Sequence, residues 1–326
     1  MKTNRRNALL LAATCLAFGS IGTASAQDLD KVRVGVFPSS SALPYYIALD
    51  RGYFADQGIE VETVTLATHP LIIQSLLTGD IDVASNVVTL EGANIVARRP
   101  GTLKFIAVNG QNAEYITEQF VVPANSTAKT LEDLAGARLF SAPGPANVGA
   151  AVAVLSKVGL DKDADYTIQE QPMGNHIGAI QSGNFDGGYT LEPLATNMIA
   201  QGIAKRLEAG VISTYLLGDT AAEAYAAGAA FSSTFMSKRE DVAARFATAW
   251  AMAVKDANTD PSARELLAGD MNVPPDLVQT VPLAHFVMTS ELSDADVADF
   301  QKFIDVGVQL GVVPSAVDAS SLLTSY

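Results

Sequence analysis

Six places in the chain set small hydroxyl, amide or imidazole side chains where an extended run gives way to a helical one. They are Ser39–Ser41, Thr68-His69, Ser85-Asn86, Ser141–Pro145, Gly174–His176 and Thr190–Glu192. A helix start leaves its first N–H groups unpaired and carries partial positive charge. Six such starts, if they converge, can hold a small solute, an anion included, without any arginine. Each can equally be an ordinary helix cap worth about 0.5–2 kcal/mol, so the set carries more weight than any member. Two of the three histidines, His69 and His176, sit at these starts and could donate to a ligand oxygen. Glu192, just before Pro193, could accept from a ligand amine or ring N–H, or simply complement a positive helix end.

Other chemistry finds no support. Ser141–Gly149 holds Gly144 and Gly149 but lacks the Gly-Lys-Ser/Thr ending of a phosphate-binding loop. There is no H-E-x-x-H, no clustered metal-ligand set and no G-x-S-x-G elbow. Asp80 and Asp82 fall on opposite faces of a turn or strand, so they make no carboxylate dyad. The reading is therefore no catalytic residue, no metal, no cofactor and no enzyme.

The elements that must position these residues are organised around Gln74–Asn86, QSLLTGDIDVASN. A helix ends at Gly79, a turn follows, and Ile81–Ala84 reads as a buried strand ending at Ser85-Asn86. An echo lies about a hundred residues on in Ala179–Pro193, AIQSGNFDGGYTLEP. One unit used twice at wide spacing suggests two lobes of similar build. Lys31–Phe37 and Ile59–Val64 alternate as strands, with helical runs of 10–15 residues between strands. That rhythm predicts βαβ units, an α/β fold and mainly parallel sheets. Pro123–Ser126 reads as the first crossing between lobes and Ala229–Phe235 as the return. From Lys238 onward the pattern is helical, including Glu240–Asn258, Pro275–Gln279 and Asp294–Leu310, and His285 is read as structural.

The 326 residues, 48% hydrophobic, suffice for one or two cores. Residues 1–26 read differently. Lys2, Arg5 and Arg6 precede the apolar run Ala8–Phe18, and Ala24-Ser25-Ala26 follows. This is the pattern of a secretory signal peptide cleaved after Ala26, which predicts export. Cys15, the sole cysteine, lies in that run, so the exported chain would form no disulfide or thiolate site. Export leaves 18 basic against 35 acidic residues, a formal charge of −17. Such a surface argues against nucleic acid as a partner.

The chain resembles periplasmic substrate-binding proteins of ABC importers, of the nitrate/sulfonate/taurine and thiamine-pyrimidine-precursor type. The resemblance rests on Asp50-Arg51-Gly52-Tyr53-Phe54 with Gly58-Ile59-Glu60-Val61, and on Leu77-Thr78-Gly79-Asp80-Ile81-Asp82. It continues through Leu131-Glu132-Asp133-Leu134-Ala135-Gly136 and Gly183-Asn184-Phe185-Asp186 with Glu192-Pro193. These fall in the family's order across most of 32–250. The resemblance implies a type II fold of two lobes, 27–120 plus 231–326 and 121–230, with the ligand cleft between them. It implies hinge closure and delivery to an inner-membrane permease by a monomer. Contacts in relatives come from the helix starts, which fall here on Ser39, Ser40, His69, Asn86, Ser141, Asn175 and Glu192. His176 and Thr190, at the same starts, complete the candidate set.

No arginine or lysine stands at those starts, which argues against a strongly charged oxyanion such as nitrate. The leading expectation is a small organic anion such as an alkanesulfonate or taurine. The alternative is a neutral heteroaromatic such as a pyrimidine vitamin precursor, with Tyr45, Tyr46 and Tyr189 as stacking faces, or an aromatic carboxylate. Two further readings are a sensor that hands ligand to a receptor and an enzyme like a eukaryotic branch of the fold. That branch uses iron and cysteine-rich chemistry, against which the cysteine count argues.

Overall fold

The computed structural model describes residues 29–326. The expected signal peptide, its cleavage point and Cys15 lie outside the described residues. The strands are β1 (Asp30–Val36), β2 (Ile59–Thr65), β3 (Val83–Val88), β4 (Leu103–Gln111), β5 (Glu118–Pro123) and β6 (Arg138–Ser141). They continue with β7 (Thr167–Glu170), β8 (Gly187–Leu191), β9 (Ala204–Ala209), β10 (Ala224–Ser232) and β11 (His285–Met288). They build two helix-flanked sheets, ordered β11-β4-β10-β3-β1-β2 and β7-β6-β8-β5-β9.

The α/β reading holds, and both sheets are mixed. β1 pairs in parallel with β2 and β3, as β6 does with β7 and β8. In each sheet the strand arriving from the other lobe runs the opposite way. β10 is antiparallel to β3 and β4, and β5 to β8 and β9. The strand–helix rhythm of the sequence reports βαβ units and is silent about these incoming strands.

They also move the lobe boundaries. β5 begins at Glu118 and lies wholly in the second sheet, and β10 begins at Ala224 and lies wholly in the first. The crossings therefore occupy 112–117 and 210–223, ahead of the expected breaks at Pro123–Ser126 and Ala229–Phe235. Polar turn residues suggested a linker after Pro123, yet the apolar run before it needs ladder partners and finds them in β8 and β9. Pro275–Gln279, expected as a helix, is mostly turn, and His285 opens the edge strand β11. Its Nδ1 lies 3.0 Å from the Glu223 carboxylate and its ring stacks on Tyr115.

The core of the first lobe packs its sheet on helices Leu43–Asp50 and Glu240–Thr259, with Phe231, Phe246 and Trp250 buried between them. Among the described residues no helix is long and apolar enough to cross a membrane.

The echo seen in the sequence is one device built twice. Gly79 and Gly183 adopt left-handed φ of 78° and 70° where a helix turns back toward the sheet. Three residues on, Asp82 accepts the Arg33 backbone N–H at 2.9 Å and is gripped by the Arg33 guanidinium at 3.1 and 3.3 Å. Asp186 accepts the Arg138 backbone N–H at 2.9 Å and two guanidinium bonds at 3.0 Å. Each aspartate thus fastens the approach to a central strand, β3 or β8, onto its neighbour, β1 or β6.

The two clamps differ in exposure. The Asp82 side chain is 18% exposed and that of Asp186 46%. Water competes more with the second pair, so it contributes less. Asp82→Ala is expected to lower unfolding free energy by about 1–3 kcal/mol and Asp186→Ala by distinctly less, read by urea denaturation. Equal losses would show that exposure does not set the difference.

Candidate functional site

The ends of β1, β3 and β8 and the start of helix His69–Thr78 meet in a small cavity between the sheets. Its volume is about 30 Å³. Ser39, Ser40, Ser41, His69 and Asn109 of the first lobe line it, as do Asn147, Leu191 and Glu192 of the second. Thr117 comes from the crossing and Glu118 from the start of β5, and Val88, Ala226 and Ala227 supply apolar wall. The lobes touch directly here, where the Ser40 backbone N–H donates to the Glu192 carbonyl at 3.1 Å.

Of the nine candidate residues, Ser39, Ser40, His69 and Glu192 line this cavity, and five do not. Asn86 is fully buried behind the serine loop. Its amide nitrogen donates to the Phe37 carbonyl at 2.8 Å and to the hydroxyls of Ser41 at 3.0 Å and Ser39 at 3.1 Å. Its oxygen accepts the Phe37 N–H at 3.0 Å and the Ser85 hydroxyl at 2.8 Å. No capacity is left for a ligand. Asn86 instead lies within β3, which runs to Val88 rather than ending at Ser85.

His176 and Thr190 bond each other at 2.9 Å, and the second ring nitrogen of His176 lies 3.1 Å from the Gln171 carbonyl. Ser141 donates to the Ala142 carbonyl, and Asn175 is exposed on a turn. The side chain of Glu192 is also spoken for. One oxygen accepts from Gln119 at 2.8 Å and Arg206 at 2.9 Å, the other from the Thr196 N–H at 3.0 Å. Arg206 in turn donates to Gln119. The cation beside the site thus neutralises a buried acid and is not free for an anion. No lysine or arginine lines the cavity.

Sequence reading missed Asn109, Thr117, Glu118 and Asn147, and placed Ser41 at a helix start without choosing it as a contact. Asn147 lies in the first turn of helix Pro145–Lys157, beyond the small-residue loop that drew notice. Asn109 and Thr117–Glu118 flank the crossing, whose position the linker reading misplaced. Burial pushes the Glu118 carboxyl above its ordinary range, and the Tyr189 hydroxyl that donates to it pulls the other way.

Two buried polar atoms on the cavity wall have no hydrogen-bond partner, Ser40 Oγ and His69 Nδ1. Burial drives the His69 pKa down to about 3, against the opposing pull of the Asn86 main chain. The ring is therefore neutral. The Asn86 main chain acts on the ring as an acceptor, and the tautomer that satisfies it puts the proton on the other nitrogen, which would leave Nδ1 a lone pair. Ser40 and His69 do not bond each other, so the pair that activates a serine nucleophile is not formed. Among the described residues no three His, Cys, Asp or Glu side chains group as a metal site. The arrangement is suited to holding a small polar solute.

The family model described as NMT1/THI5 like matches residues 39–264. The chain belongs to the NMT1/THI5-like family. No curated protein sequence matches it. Among solved structures, the alkanesulfonate-binding protein SsuA from Xanthomonas axonopodis pv. citri, bound to MOPS, is 19% identical with a TM-score of 0.72. That alignment covers 92% of this chain and 100% of the other. The periplasmic nitrate-binding protein NrtA from Synechocystis PCC 6803 is 12% identical at a TM-score of 0.71, covering 90% of this chain and 85% of its own. The desulfurization enzyme DSZB is 14% identical at 0.66, over 91% and 96%. At these identities the likeness is one of fold: this NMT1/THI5-like chain has the periplasmic-binding-protein architecture.

The two buried histidines predict a pH dependence. His69 and His176 are held near 3 and 4, below the ordinary 6.5, chiefly by burial. Their contribution is complete above pH ~6.5 and is lost as pH falls, because the unfolded chain takes up protons that the folded chain excludes. Each approaches a slope of ~1.4 kcal/mol per pH unit. Urea unfolding between pH 7 and 5 should show the fall, and His176→Gln should flatten it. A parent and variant with equal slopes would contradict a neutral, buried His176.

Proposed function

We propose that the chain is the solute-capturing component of an ABC importer, acting as a monomer in the periplasm. It takes a small molecule between its lobes, closes on it and presents the complex to an inner-membrane permease. Family membership and the two-lobed fold support this role. A cavity of about 30 Å³ has room for only one or two waters, so a solute enters as the lobes part.

The observation that carries the ligand class is His69 Nδ1, a neutral, unpartnered acceptor in a cavity lined by no cation. A buried acceptor left unmatched costs about 1–3 kcal/mol, so the favoured ligand brings an N–H or O–H donor. An uncharged heterocycle of the aminopyrimidine kind fits, lying against Val88, Leu191, Ala226 and Ala227. The tyrosines expected to stack on it are elsewhere. Tyr45 and Tyr189 are fully buried, their hydroxyls bound to Thr63 and Glu118, and Tyr46 packs on the first-lobe core.

A second reading, a sulfonate or carboxylate anion, is favoured by the helix starting at His69, whose positive end lies at the cavity.

A thermal-shift panel separates the two. A neutral aminopyrimidine at ~100 times its Kd should add about 2.7 kcal/mol of stability, with taurine, an alkanesulfonate and benzoate inert. Ser40→Trp should abolish the response. A response to the sulfonate alone would establish the anionic reading, and no response to any of them would remove both ligand classes.

A further inference from the structure

A second cavity, of about 340 Å³, lies behind the first and shares none of its lining residues. The two are divided where His69 faces one and Pro70 the other, and where Asn147 and Pro145 do the same. Its wall is mostly apolar, formed by Pro70, Ile73, Leu77, Ile95, Pro145 and Val312, with the amides of Gln74 and Asn94 among them. Pro145 belongs to the second lobe and most of the rest to the first, so the cavity straddles the join. Its size is that of an ordinary small-molecule pocket.

One acid stands in this wall. Glu91, in helix Thr89–Arg98, is 6% exposed, and neither carboxyl oxygen has a hydrogen-bond partner. Gly144, in the facing lobe, keeps the space open: a Cβ there would lie 2.7 Å from Glu91 Oε1. Burial and the nearby Glu170 push the Glu91 carboxyl up to about 8, against the opposing pull of the Ala146 amide at the start of helix Pro145–Lys157. A buried carboxylate is costly unless paired, and a ligand's N–H donors would supply the missing pair.

We propose that this cavity is an accessory site for a small organic ammonium or amidinium with an apolar body. The body fills the cleft between helices His69–Thr78 and Thr89–Arg98, and the cationic head pairs with Glu91. Because both lobes contribute wall, occupancy also favours the closed arrangement of the molecule. The inference stands independently of which solute fills the first cavity.

Calorimetric titration of the full-length exported protein with benzylamine, benzyl alcohol and benzoate tests it. Benzylamine should bind at least about ten-fold more tightly than benzyl alcohol, the margin of one charge-assisted hydrogen bond, and benzoate should not bind. Glu91→Gln should erase the preference and leave benzyl alcohol unchanged. Ile95→Trp, which fills the cavity, should abolish binding of both, and Ser40→Trp in the other cavity should leave benzylamine binding intact. Equal affinity for the amine and the alcohol in the parent, or a preference that survives Glu91→Gln, would overturn the proposal. Loss of benzylamine binding in Ser40→Trp would place the amine in the first cavity and overturn it equally.

Discussion

The buried amide of Asn86 holds the serine loop in place, and the site exists only because that loop is held. From the interior of β3 it reaches both backbone groups of Phe37 and the hydroxyls of Ser39 and Ser41. These bonds bend the chain leaving β1 into the short turn Ser40–Ala42. The turn sets the Ser40 N–H against the Glu192 carbonyl and leaves Ser40 Oγ facing the cavity. Each bond is a modest net gain, but a fully satisfied buried network fixes a geometry that apolar packing alone would not.

The second constraint is electrostatic. The chain carries an acidic excess, and two carboxylates lie at the cavity, yet its open polar atoms are uncharged. Glu192 is compensated by Arg206 and Gln119, and burial holds Glu118 toward its protonated form and His69 in its neutral form. The paired arginine fixes the second lobe's contribution to the wall and leaves only dipoles open to the cavity. A site of this kind selects by donor and acceptor placement more than by net charge.

Much of the fold was legible in the sequence because it is written in local chemistry. The unit around Gly79–Asp82 and its echo at Gly183–Asp186 mark two helix stops and two arginine clamps, and so record the duplication faithfully. The incoming strands were not legible. β5 and β10 pair with residues far away in sequence, and most of β10 falls in the alanine-rich run 221–230, whose local pattern is ambiguous. The site was legible in part for the same reason. Helix starts located Ser39, Ser40 and His69 on the cavity wall, but whether a polar side chain faces the cavity or another residue depends on partners across the fold. His176 turned to Thr190, Asn86 to the serine loop and Glu192 to Arg206. Asn109 and Glu118 enter the wall from β4 and β5, on either side of a crossing whose position only strand pairing defines.

The account depends on His69 being a neutral acceptor that reads a donor on the solute. Nitrogen-15 NMR of the ring-labelled protein observes this directly. His69 should remain neutral from pH 8 to pH 5, in keeping with a pKa near 3. Its Nδ1 resonance should carry the shift of a free lone pair and move to that of a hydrogen-bonded acceptor when an aminopyrimidine saturates the protein. A protonated His69 at pH 7, or an Nδ1 resonance unmoved by a saturating solute, would contradict the account.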